Sequence, residues 1–113
     1  LTQFLLDEFD AALWMAARHS FVLPEELRLS AVKDSLKWEF QRSQKVLAAR
    51  MADGPYVMGE AMTVPDIILT HCGTWAQAAK FPIAESRIAD YLARMTGRAA
   101  LQRAMAQGAA ANA

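Results

Sequence analysis

The chain of 113 residues, 54% of them hydrophobic, carries 12 Lys+Arg against 12 Asp+Glu, which suits one compact domain and is too short for two. A formal charge of zero supplies no field for phosphate backbones, and the longest charge-free apolar run, Ile67 to Ala79, is shorter than the roughly 20 residues that cross a bilayer. Neither nucleic acid nor membrane is an expected partner, and a single Cys72 excludes an intrachain disulfide and a cysteine-rich zinc site, leaving the cytoplasm as the default location.

Leu1-Thr2-Gln3-Phe4-Leu5-Leu6 has no initiator Met and no basic stretch leading into an apolar one, and it enters an amphipathic pattern at once. It reads as a piece of something longer. Phe9, Leu13, Ala16 and Ala17 recur at helical spacing against Asp7, Glu8, Asp10 and Arg18, predicting a first helix over residues 1–21 that Leu23-Pro24-Glu25 terminates. The second and longest helix is read from Val32, Leu36, Phe40, Leu47 and Met51, ending near Ala52 ahead of Gly54.

The third pattern differs, because Ile67, Ile68, Leu69, His71, Cys72, Trp75, Ala76, Ala78 and Ala79 cover almost every angle around a helix from Val64 to Lys80. Such a helix is expected to be buried. Phe81-Pro82 ends it, Ile88, Tyr91, Leu92 and Met95 give a short helix stopped at Gly97, and Leu101 and Met105 mark one more before a frayed tail, residues 108–113. The expected fold is all-α, about five helices over residues 1–107 gathered around a buried central one.

The strongest local signal precedes that central helix. In Thr63-Val64-Pro65-Asp66 the threonine hydroxyl faces the Asp66 amide and the carboxylate reaches back to the Thr63 amide, a capping box with proline in the first turn. Met62 and Ile67 are spaced for the accompanying hydrophobic staple, and losing the box should cost at least the usual ~1 kcal/mol of a cap. A structural cap is the reading preferred over a catalytic carboxylate.

The run Tyr56-Val57-Met58-Gly59-Glu60-Ala61-Met62-Thr63-Val64-Pro65-Asp66-Ile67-Ile68-Leu69 resembles the signature of the glutathione transferase C-terminal helical domain. Ile88 to Met95 and Arg98 to Ala104 resemble the last helices of the same family, so the resemblance covers nearly the whole chain. It implies an N-terminal thioredoxin-like domain, outside this sequence, that holds glutathione and its Ser, Tyr or Cys activator. It also implies a homodimer and, in the helical domain, the wall of an apolar pocket for a small hydrophobic electrophile. On this reading the chain binds no cofactor of its own, has no catalytic residue and does not conjugate alone; glutathione is a substrate of the parent.

Three residues carry the expected pocket. Trp75, nine residues after Asp66, matches a Trp bordering the cleft of bacterial beta-like members, or else packs in the core. Trp14 stands where those members place a cleft-facing His, with packing against the bundle as the alternative. Arg18, one turn later, stacks on Trp14, pairs with Asp10 or Asp7, or is a solvated charge. His71 and Cys72 point about 100° apart on a helix and, with only His19 besides, make no metal site; Cys72 reads as inert core, His71 as satisfying a carbonyl inside the bundle, and His19 as a cation near a helix C-terminus. Trp38, on a charged face between Lys37 and Glu39, suits contact with another subunit or an ordinary half-wet aromatic. The rival function is a non-catalytic module, since similar helical domains occur in translation factors and aminoacyl-tRNA synthetases, where they serve assembly.

Overall fold

A computed structural model describes residues 1–97, and within them the chain is all-α with no β-strand. The helix expected from Leu101 and Met105, the second family-like segment and the frayed tail lie outside the described residues. Helix α1 spans residues 2–22 as one continuous rod whose hydrogen bonding alternates, α-helical at Thr2–Leu5 and Ala11–Ala17 and π-helical at Leu6–Asp10 and Arg18–Val22. A 3₁₀ turn at Glu25–Leu27 follows, then α2 (Val32–Arg50), α3 (Val64–Ala78) and α4 (Ser86–Thr96). Helix α2 stops two residues before the predicted Ala52, because Met51 turns extended and is pulled into the core.

Helix α1 packs on both α2 and α3, and α4 bridges α3 and α2 from the other side. Phe9 and Phe40 meet edge to face with ring centroids 5.0 Å apart, and Phe40 meets Phe81 at 5.6 Å, a chain of rings fastening α1 to α2 and to the end of α3. Backbones approach closely where α3 crosses α4. A Cβ placed on Gly73 would sit 2.5 Å from a Leu92 methyl, so any larger residue here would force the buried Leu92 side chain to move.

Between α2 and α3 the chain makes a tight non-helical link. Tyr56 and Gly59 exchange backbone hydrogen bonds at 3.0 and 3.1 Å, and Ala52 donates to the Val57 carbonyl at 2.9 Å. Gly54 has φ of +125°, and a Cβ there would lie 2.6 Å from the Gly59 carbonyl oxygen, so both conformation and space demand glycine. Side chains distant in sequence secure the helix ends. Arg87 donates to the carbonyls of Ala48 and Ala52 at 2.7 and 2.9 Å, capping α2 from α4, and buried Gln44 donates to Pro82 O and accepts from Glu85 N.

One expectation about α3 is overturned. The helix is not buried all round: Pro65, Asp66, Leu69, Cys72, Gly73 and Ala76 face inward, while Val64, Ile67 and His71 face out, Ile67 at 64% exposure. Apolar side chains at every angle measured the composition of the segment and not the number of its neighbours: α3 packs against α1 and α4, and the face of Val64, Ile67 and His71 is left uncovered. Exposed Met62 and Ile67 therefore bury no staple, and exposed His71 does not satisfy a carbonyl inside the bundle.

Candidate functional site

The two ends of α3 are built differently. At its N-terminus Thr63 and Asp66 close the capping box, the Thr63 amide donating to Asp66 Oδ2 at 2.8 Å and the Asp66 amide also reaching the Thr63 carbonyl at 3.0 Å. Asp66 is fully buried and does more than cap. Its Oδ1 accepts the Val57 amide at 2.9 Å and the Tyr91 hydroxyl at 2.7 Å, so one carboxylate joins α3 to the preceding link and to α4. Burial first, and then the bond to Asp66, push the Tyr91 phenol well above its ordinary value. Every partner of this carboxylate is internal, and the group itself is shut off from solvent.

The opposite end of α3 is open. Trp14 of α1 and Trp75 of α3 meet edge to face with centroids 5.2 Å apart, and the His71 ring stands 5.9 Å from Trp75. Trp14 is 48% exposed and Trp75 half-buried, so their indoles form a partly wet aromatic pair between two helices. Arg18 lies a turn beyond Trp14 on the exposed side and forms no ion pair with Asp7 or Asp10, the one ion pair among the described residues being Arg87 with Asp53 at 3.8 Å. The structure thus brings Trp14 and Trp75 together, leaves Arg18 in solvent, and sets Thr63 and Asp66 at the far end of the helix.

Trp75 also borders a cavity of about 320 Å³ that neither Trp14 nor Arg18 lines. Leu13, Ala16 and Ala17 of α1 form one wall, Phe21 and Phe81 stand with Trp75 as aromatic walls, and Lys33, Lys37 and Lys80 complete the lining. The second π-helical stretch matters here. By closing Leu23 N–H onto the Arg18 carbonyl at 2.9 Å it ends α1 one residue wider than an α-turn, leaving Phe21 at the cavity edge with 68% of its surface exposed.

The connector after α1 is pinned beside this cavity. Arg28 Nε donates to the Leu23 carbonyl at 2.8 Å, and His19 Nδ1 accepts the Leu29 amide at 3.0 Å. His19 thereby anchors the loop that follows α1. Cys72 is fully buried facing α1, and burial first, with Asp10 nearby second, pushes its thiol up to about 12. It is no nucleophile.

The three lysines and the Tyr91 partnership escaped sequence reading. Lys33 and Lys37 share a face by their i, i+4 spacing, which was legible, but Lys80 joins them only because α3 ends beside the start of α2. Comparison with known protein families, characterised proteins and solved structures finds no match for this chain.

Proposed function

We propose that this chain is the helical domain of a glutathione transferase-like enzyme, in which it supplies the apolar wall for a small hydrophobic electrophile and part of a homodimer contact. The observation that carries the reading is the geometry of α3: a Thr63/Asp66 box with a buried carboxylate anchors one end, and a Trp14–Trp75 pair beside an apolar cavity occupies the other. A cavity of this size, lined by aromatic and aliphatic groups with a few polar ones, matches the usual construction of small-molecule sites. Trp75, Trp14 and Arg18 are the proposed co-substrate contacts, with Trp75 central because it belongs to both the indole pair and the cavity.

On this reading the chemistry of the thiol lies in a thioredoxin-like partner domain. Conjugation needs a thiol whose pKa is lowered by a donor or a helix N-terminus, and the one thiol here is shifted the opposite way. The full-length gene product is expected to bind immobilised glutathione and conjugate a neutral aryl halide. The 113-residue chain is expected to bind the halide, quenching Trp75 emission, without turnover. Turnover by this chain alone, or a full-length product that ignores glutathione, would overturn the proposal.

One observation supports the assembly reading as a second possibility. Trp38 is 63% exposed on α2, with the Arg42 guanidinium 5.3 Å from its ring centroid and exposed Val46 two turns on, a stripe suited to a protein contact. It serves a homodimer of the transferase type or an interaction module of the kind carried by translation factors and synthetases. A concentration-dependent sedimentation series distinguishes them, since a self-associating chain shifts mass with concentration and a Trp38→Ser variant does not.

A further inference from the structure

Three lysines and no acidic residue line the α1–α2–α3 cavity. Lys33, Lys37 and Lys80 form no ion pair, the one such pair among the described residues being Arg87 with Asp53. Lys33 stands in the first turn of α2, where the helix dipole disfavours a cation and Asp34, the acidic residue of that turn, is exposed and lies off the cavity. The Lys37 amine is held at the wall, 5.7 Å from the Phe81 ring centroid.

Lys80 adds an independent sign. It is the one non-glycine residue with positive φ among the described residues, at +62°, just past the end of α3 where its amide bonds Gln77 O and the next amide bonds Ala76 O. Glycine is the ordinary occupant of such a helix terminus, and a side chain there is disfavoured. The chain keeps a strained lysine at the mouth of a cavity that already holds two others.

We propose that this cavity binds a small aromatic carboxylate, its ring between Trp75, Phe81 and Phe21 and its acid group among the amines of Lys33, Lys37 and Lys80. This rests on the co-substrate reading of the same wall and narrows it: the hydrophobic partner is an organic anion of about two fused rings, a size the cavity accommodates. The aromatic surface supplies most of the binding. The lysines favour an anion over neutral and cationic molecules of the same shape, because an ammonium repels a cation and gains less from an alcohol oxygen than from a carboxylate.

Calorimetric titration of the 113-residue chain with 2-naphthoate, 2-naphthalenemethanol and 2-naphthylmethylammonium tests the proposal. At low ionic strength the carboxylate is expected to bind about tenfold tighter than the alcohol and the ammonium weaker than either, with the carboxylate's advantage shrinking at about 0.5 M salt. Lys37→Met keeps the contact with Phe81, and Lys80→Gly relieves the strained terminus, so both variants should fold; each should lower naphthoate affinity roughly three- to tenfold and leave the alcohol unchanged. Equal affinity for carboxylate and alcohol overturns the anion proposal while sparing the apolar wall. Absence of binding by all three overturns both. Naphthoate selectivity in a chain whose full-length product ignores glutathione leaves this proposal standing and removes the transferase reading.

Discussion

The first and last turns of α3 show two uses of polar groups within one helix. At the first turn a buried carboxylate gathers two backbone amides and a phenol at 2.7–2.9 Å, and nothing is left over for a ligand. Beside the last turn three lysines and no acidic residue line a cavity, and the aromatic surfaces of Trp75 and Phe21 stay partly wet. Satisfied buried groups stabilise a fold; unsatisfied groups at a cavity are available for recognition. Substitutions at the first end should change stability, and substitutions at the second should change binding.

Asp66→Ala is the most severe way to test that division. It strands the Val57 amide, the Thr63 amide and the Tyr91 hydroxyl at once, and at about 1–3 kcal/mol per orphaned group a loss of at least ~3 kcal/mol is expected. Urea denaturation followed by circular dichroism should show a midpoint far below wild type. A change under ~1 kcal/mol would mean that the carboxylate is not the joint between α3, α4 and the preceding link.

Tyr91→Phe removes one bond to a charged acceptor and should cost about 1.5–3 kcal/mol at neutral pH. It also alters the alkaline limb. Tyr91 and Cys72 hold their protons in the folded chain above the values near 10 and 9 at which the unfolded chain releases them. The unfolded state therefore binds fewer protons, and stability is full below about pH 9 and declines as pH rises toward 12. Chemical denaturation between pH 8 and 11 should show that decline, shallower in the Phe variant. A flat profile in the wild-type chain would contradict the burial of both groups.

The open end should respond with small or opposite changes in stability. Lys80→Gly relieves positive φ and is expected to raise stability by roughly 0.5–1 kcal/mol while weakening anion binding. A thermal melt measures the first effect, and a destabilised glycine variant would show that Lys80 holds the fold together. Smallest of all, Arg18→Ala should stay within about ±0.5 kcal/mol, since the side chain is exposed and unpaired with Asp7 or Asp10. A larger loss in the same melt would place Arg18 in the structural half of the comparison.

The amino-acid sequence by itself determined what depends on neighbours within a turn or two. Helix spacing made an all-α chain legible, and the three-residue interval from Thr63 to Asp66 announced the box that starts α3, because both are settled by local backbone geometry. Cys72 read as inert core for a similar reason, lying within a continuous apolar segment. Tertiary structure alone decided which face of an apolar helix stays wet, as Ile67 shows, and which distant groups meet. Tyr91 reaches Asp66 across 25 residues, and Lys80 joins Lys33 and Lys37 only because α3 ends beside the start of α2. Burial and electrostatic balance are properties of surfaces brought together in space, and residue spacing along a chain carries no measure of them.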